Sequence, residues 1–206
     1  MIIVEPSVEI LTPLDSEQIY TFIEAIGRTC YKSEEKIGPG TAVPFIRGLL
    51  SHDPPHESVL EHVSITVRIV CDRGVSHELV RHRLASYSQE STRYCNYLKA
   101  GELTFINPCF LDREADEYRL RLWKHACQVA EGTYMDMIGC GMKPEEARSV
   151  LPNSIKTEVV MTANVREWRH VFRLRCAKRA HPQMRQIMCP LRSRLAGVLP
   201  ALFDDL

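Results

Sequence analysis

A chain of 206 residues, 45% hydrophobic and 25% charged, has the length and composition of one globular domain, and residues 1–206 are expected to form a single one. Its 26 basic and 26 acidic side chains cancel, so overall charge excludes neither an anionic nor a cationic partner. No stretch approaches the ~20 apolar residues of a membrane span, and "MIIVEPSVEI" lacks the basic start and long apolar run of a secretion signal. A cytoplasmic protein without membrane contact is expected, its eight cysteines, with no CxxC pair among them, reading as reduced thiols.

In chain order, residues 2–11 alternate weakly in hydropathy and predict a strand. Asp15 followed three residues on by Gln18 has the form of a capping box and predicts a helix through Thr29. The polar "KSEEKIGPG" (32–40) reads as a loop, and a helix is expected from Thr41 to Ser51, ended by "HDPPH". In "HVSITVRIVCD" Val63, Ile65, Val67 and Ile69 alternate with Ser64, Thr66 and Arg68, which predicts a half-buried strand. Gly74 breaks into "VSHELVRHRLA", where Val75, Leu79 and Val80 share one helical side and His77 and Arg81 are neighbours one turn apart. The residues that follow Arg81 are expected to run into a loop. "ELTFIN" reads as a short strand, and the stretch from Asp112 to Gly139 as a long helix that "GCG" ends. "KPEEARSVLP" places Pro144 in the first turn of a short helix. "IKTEVVMTAN" predicts a strand, "VREWRHVFRLRCAK" a helix, and Pro182 to Leu199 the last helix. Helices outnumber two or three strands that do not alternate in βαβ order, so the fold class is α+β.

Cationic groups are concentrated in two places. Between Asn164 and Arg194 nine Lys or Arg stand against one acid, Glu167, and such an excess must meet water, carboxylates or anionic ligands. "RHRLASYSQESTRY" (81–94) gathers three arginines, a histidine and three serines in fourteen positions. The usual phosphate loops are missing: "GPGTAV" and "GCGMKP" do not complete GxGxxG, and there is no GxxxxGK[ST]. Phosphates would therefore be met by guanidinium and hydroxyl groups. His52, His56 and His62 lie close together, but without HExxH or finger-spaced cysteines no metal site is expected. Near residue 170, Trp168, Val171 and Phe172 form an apolar helical stripe that Arg175 continues. That directs toward the core a guanidinium that never deprotonates, which needs a carboxylate, a carbonyl or a ligand. Arg166, His170 and Arg173 form a second cationic strip on the same helix. A nucleic-acid-binding module is the rival reading of this charge; against it, Trp168 and Phe172 lie on the apolar stripe instead of beside the cations as stacking platforms.

The RHR triplet, seven residues, a serine and then Arg-Tyr in "RHRLASYSQESTRY" match the signature of flavin-dependent thymidylate synthases. "HESVLEH" (56–62) resembles that family's segment upstream of the core strand. "RSVLPNSIKTEVVMTANVREWRHVFRLR" (148–175) resembles its Arg-Leu-Pro segment and Asn-x-Arg helix. The resemblance spans most of residues 56–190. It implies an α+β fold with a mixed or antiparallel sheet and long helices, assembled as a homotetramer with active sites at subunit interfaces. It implies methylation of dUMP to dTMP, with 5,10-methylenetetrahydrofolate as carbon donor and FAD, reduced by NADPH, as hydride carrier; no nucleic-acid partner follows from it.

Carried over position by position, the resemblance implies FAD contacts from Arg81, His82 and Arg83, joined by His56, Ser58, Gln89, Asn164, Arg166 and His170. It implies nucleotide contacts from Glu78, Arg81, Gln89, Glu90, Ser91, Thr92, Arg93, Arg148 and Arg175. Backbone N–H groups of residues 90–93, with Arg93 and Arg148, would hold the phosphate. Arg175 and Ser91 are the candidate catalytic residues: Arg175 would bind the uracil carbonyl and N3 edge and favour negative charge on the ring, while Ser91 would attack the ring only if a nearby base activates it and would otherwise position the nucleotide. This chain has Ser88 where many relatives carry Asn, and Gln89 in place of an acid. The same residues would also serve a homologue that binds nucleotide and flavin without turnover.

Overall fold

The elements follow one another as β1 (Ile2–Val4), β2 (Ser7–Ile10), α1 (Ser16–Tyr31), α2 (Ala42–Leu50), β3 (Ser64–Asp72), α3 (Arg73–Leu79), β4 (Ala85–Gln89) and β5 (Thr104–Ile106), and then as α4 (Glu117–Gly139), α5 (Pro144–Ala147), β6 (Lys156–Asn164), α6 (Val165–Arg175), α7 (Pro182–Val198) and α8 (Pro200–Phe203). This is a computed structural model that describes residues 1–97, 102–111 and 116–206; the expected start of the long helix at Asp112 lies outside them. The α+β class holds, but the described residues contain six strands where two or three were expected. The predicted strand over 2–11 is two, because Pro6 has no N–H to give a ladder. The RHR segment does not run into a loop: it enters β4. The strands form a four-stranded sheet in the order β2-β3-β6-β4 and a parallel pair of β1 with β5. Val165 N–H donates to the Val63 carbonyl and Thr66 meets Thr162 side chain to side chain. Three residues forward on β3 are therefore three back on β6, which makes that pair antiparallel.

The residues group into two compact units, and β2, β3, β4 and β6 each contribute to both. The first comprises Met1–Val8, Arg68–Arg81 and Tyr87–Val160. Its core gathers Leu103, Phe105, Cys127, Tyr134, Ile138, Ala147 and Ile155, with Trp123 edge-on to Phe105. In α3, Asp72 caps the first turn by accepting from Val75 N–H at 2.6 Å. The helix stops at Leu79, two residues before the expected neighbour Arg81, because the Leu79 carbonyl accepts the Tyr87 hydroxyl at 2.7 Å. Arg81 therefore lies beyond the helix and not one helical turn above His77. Helix α4 ends where Gly141 takes φ 92°, a left-handed turn that glycine enters without a Cβ penalty.

The second unit comprises Glu9–Val67, His82–Ser86 and Met161–Leu206. Asp15 caps α1 by accepting from Gln18 N–H, as the sequence predicts, and Asn164 caps α6 by accepting from Glu167 N–H at 2.8 Å. Helices α1 and α2 approach closely at Gly27, where a Cβ would fall 2.5 Å from the Phe45 ring. Trp168 stacks on Phe172, which meets Phe203 edge-on, and the Trp168 indole N–H donates to the Ile65 carbonyl. The buried arginine of α6 is Arg169, at 0% exposure, and not Arg175, which is half-buried. Helix α6 is covered over a broader arc than its apolar stripe, which encloses Arg169 beside Trp168. Its guanidinium donates to Glu57 at 2.8 Å, to both Asp205 oxygens at 2.7 and 2.6 Å, and to the Leu202 carbonyl.

Removing one partner of a buried ion pair strands the other. Arg169→Ala is expected to lower the unfolding free energy by about 3–5 kcal/mol, read from the denaturation midpoint. A midpoint unchanged from wild type would contradict the bridging role of Arg169.

Candidate active site

Within the first unit, the second half of the RHR motif wraps around β6 residues. Gln89, at the end of β4, donates through its amide nitrogen to Ser76 at 2.9 Å and Thr157 at 3.2 Å. Glu90 accepts from Lys156 at 3.1 Å and from the Tyr97 hydroxyl at 2.8 Å. Burial, and then the Glu90 bond, push the Tyr97 phenol well above its usual range, so it remains a donor. The chain then turns over Ser91–Cys95, where Ser91 Oγ accepts the Arg93 N–H at 3.3 Å. Thr92 is buried and receives Arg148 at 3.4 Å, while Arg148 Nε donates to the Glu145 carbonyl. Arg93 pairs with the Glu145 carboxylate at 2.6 Å, and that hydrogen bond holds Glu145 below the ordinary carboxylate range. Arg93, Thr92 and Arg148 thus come together around Glu145. The Glu90 N–H does not join them, because it donates to the Glu158 carbonyl at 2.9 Å. Among the described residues, no histidine or carboxylate bonds the Ser91 hydroxyl to activate it. Glu78 is half-buried on α3 and Arg81 exposed just past it.

Within the second unit, His82 and Arg175, ninety-three residues apart, meet directly: Arg175 Nε donates to His82 Nε2 at 2.9 Å. An imidazole is thus one acceptor for Arg175, a group not among the carboxylate, carbonyl and ligand that the sequence offered. His82 is 5% exposed. Burial, then the Arg175 cation and His170, push its pKa down to about 4. The ring is therefore neutral at pH 7, and since Nε2 accepts, the proton belongs on Nδ1. That nitrogen lies 3.4 Å from a Glu167 oxygen, and His170 stands edge-on to the ring at 5.8 Å. Burial, partly opposed by His170, raises the Glu167 pKa above its ordinary value. His82, Glu167 and His170 bring three potential metal-ligand atoms within 4.8 Å of one another. A proton on the His82 nitrogen that faces Glu167 opposes a cation there.

Of the other expected flavin residues in this unit, Arg83 and Asn164 line a cleft and His56 a groove. A cleft of about 320 Å³ is lined by Arg83, Asn164, Ser64, Ser86, Thr162 and Glu61. Arg166 bonds Glu61 and approaches Glu57 at 3.9 Å, while Arg173 bonds Glu57 at 2.9 Å. Burial works against ionisation of Glu57, but the bonds from Arg173 and Arg169 outweigh it and lower its pKa. His56 lies apart from this cleft, in a groove of about 560 Å³ with Tyr31, Phe45, Arg28 and Lys36, where its ring stacks on His52 and its Nδ1 meets the Tyr31 hydroxyl at 3.3 Å. Ser58, exposed, opens the 3₁₀ turn that follows. The sequence reading missed the acids Glu57, Glu61, Glu145 and Glu167 as partners. Glu57 and Glu61, spaced i, i+4 within "HESVLEH", were the available signal.

A neutral His82 has a pH signature. Between pH 6.5 and about 4 the unfolded chain binds a proton that folded His82 refuses, so this contribution to stability falls as pH drops through that window. The His82 resonances should titrate near pH 4; a midpoint near 6.5 would contradict the buried, arginine-bonded ring.

Residues 14–201 match the family model described as thymidylate synthase complementing protein. The flavin-dependent thymidylate synthase of Geobacter sulfurreducens is 36% identical over 185 residues, covering 86% of this chain and 78% of that one. That of Mycobacterium tuberculosis is 35% identical over 202 residues, covering 89% and 78%, and that of Pyrococcus furiosus 32% over 186, covering 89% and 75%. Among solved structures, the UMP/dUMP methylase PolB from Streptomyces cacaoi, bound with 5-Br dUMP, matches with a TM-score of 0.81 over 99% of this chain and 96% of that chain; at 23% identity this is a likeness of fold. On the extent of these matches and the RHR motif that carries His82, the chain belongs to the thymidylate synthase complementing protein family, the family of the flavin-dependent thymidylate synthases.

Proposed function

We propose that this protein methylates dUMP at C5 to give dTMP, taking the carbon from 5,10-methylenetetrahydrofolate and using FAD reduced by NADPH. We place it in the cytoplasm as a homotetramer with active sites at subunit interfaces. The observation that carries the reading is the hydrogen bond by which His82 of the RHR triplet holds Arg175. It gives the motif histidine and the C-terminal arginine one shared task.

The residues present suit a flavin. The cleft lined by Arg83, Asn164, Ser64, Ser86 and Thr162 offers a guanidinium, an amide and three hydroxyls, donor groups of the kind that bind a pyrophosphate and a ring edge. Asn164 spends its side-chain oxygen on the α6 cap, so its amide nitrogen is the group left to serve the cofactor. A reduced flavin bound there would supply the hydride that completes the methyl group. The remaining tasks fall to the chain itself. Arg175, set by His82, would meet the uracil carbonyl and N3 edge, and a guanidinium there stabilises negative charge on the ring, which strengthens C5 as a nucleophile. Arg148 and the Thr92 hydroxyl would take the phosphate. Arg93 would join them by exchanging Glu145 for it, since an exposed ion pair holds weakly against a dianion. With no activating base on its hydroxyl among the described residues, Ser91 would position the nucleotide.

An anaerobic assay of dUMP conversion in which folate, FAD and NADPH are each omitted in turn tests the reading. Loss of dTMP at every omission is expected, and Arg175→Ala should lower dTMP formation about 10²–10³-fold while, in a separate aerobic assay, it still reoxidises reduced flavin with oxygen. Product formed without flavin, or thymidylate synthesis retained by Arg175→Ala, would contradict it.

A further inference from the structure

We propose that Glu167 is a positioning residue for Arg175: by accepting the Nδ1–H of His82 it keeps the Nε2 lone pair turned toward Arg175, and so sets the orientation of the guanidinium. This rests on the reading of Arg175 as the arginine that meets the pyrimidine.

A guanidinium has donors and no acceptor, so Arg175 can bond His82 only through a ring nitrogen that carries no hydrogen. A neutral imidazole has one such nitrogen, and either nitrogen can be the one. In the Nε2–H form two donors would face each other across 2.9 Å, and the bond that fixes Arg175 would become a repulsion. Something must choose the tautomer. Arg175, His170 and Glu167 all face the ring. Arg175 offers donors, and His170 meets the ring edge-on with its centroid 5.8 Å away. Glu167 alone of the three is an obligate acceptor when ionised, with an oxygen 3.4 Å from Nδ1.

Glu167 is well placed to hold that role. It is 6% exposed, and its own N–H is tied to the Asn164 cap, which fixes it in the first turn of α6. Arg175 closes the same helix two turns later. One rigid element therefore carries both the group that chooses the tautomer and the group that uses it, with His82 between them. The phosphate-contacting arginines of the first unit have no such device, because they bond to a hydroxyl, a carbonyl or a carboxylate, none of which has two exchangeable forms of this kind.

Long-range ¹H–¹⁵N correlation spectra of ¹⁵N-histidine protein read the tautomer without any need for turnover, His82 being assigned by its disappearance in His82→Gln. Wild type should show the Nδ1–H form. Glu167→Gln should keep it, because the amide carbonyl still accepts, whereas Glu167→Ala should move the ring toward Nε2–H. In the alanine variant kcat/KM for dUMP should fall about 10–100-fold, the size expected for one mispaired buried hydrogen bond, with flavin content unchanged, and Glu167→Gln should restore most of it. An Nε2–H ring in wild type, or an alanine variant that keeps both the Nδ1–H ring and wild-type kcat/KM, would overturn the proposal. If the wild-type protein made no dTMP, the functional reading would fall, and the spectra would still decide whether Glu167 sets the tautomer.

Discussion

A guanidinium cannot shed its proton, so an arginine drawn out of water calls for an acceptor. Much of the second unit is organised around that requirement. Arg169, wholly buried, is surrounded by Glu57, Asp205 and the Leu202 carbonyl. Glu57 serves Arg173 as well, and Glu61 serves Arg166. The 3₁₀ turn at Ser58–His62 and the C-terminal residues around Asp205 are thereby fastened to α6. Trp168, Phe172 and Phe203 pack ring against ring along that helix, while the charges tie the turn and the residues around Asp205 to it.

The identity of the acceptor separates structural arginines from those able to serve a ligand. Carboxylates neutralise Arg169, and nothing is left for an anion to attract. Arg175 is bonded to a neutral imidazole, and Arg148 to a hydroxyl and a carbonyl. Such acceptors orient a guanidinium without cancelling its charge. An arginine held this way is preorganised for a negative group, and preorganised charge in a water-poor site is the most effective kind of electrostatic stabilisation. Arg93 lies between the two cases, with an exposed carboxylate partner that a phosphate can replace.

Much of this was readable from residues close in sequence. The Asp15 cap, the alternation in β3 and the apolar stripe of α6 are local signals, and each element formed where they pointed. Strand β4 escaped because its burial alternates along Ala-Ser-Tyr-Ser-Gln, a run with almost no hydropathy contrast. The end of α3 escaped because it depends on the Tyr87 hydroxyl eight residues later. The apolar stripe points to Arg175 as the buried cation in place of Arg169, because a helical wheel shows where a stripe lies and not how wide an arc its neighbours cover. Glu57 and Glu61 stood in plain view, yet their bonds to α6 span more than a hundred positions, and no pattern within a window reaches that far. The RHR motif gave the family; it could not give the bond between His82 and Arg175.

The central claim is that an imidazole from one part of the chain aims a guanidinium from another at a pyrimidine. A crystal structure of the assembled protein with dUMP bound tests it most directly. Arg175 Nε should remain on His82 Nε2 while a terminal guanidinium nitrogen lies within about 3 Å of a uracil carbonyl oxygen on the N3 edge. A complex in which Arg175 has left His82, or in which the uracil edge is read by other residues while Arg175 points elsewhere, would contradict it.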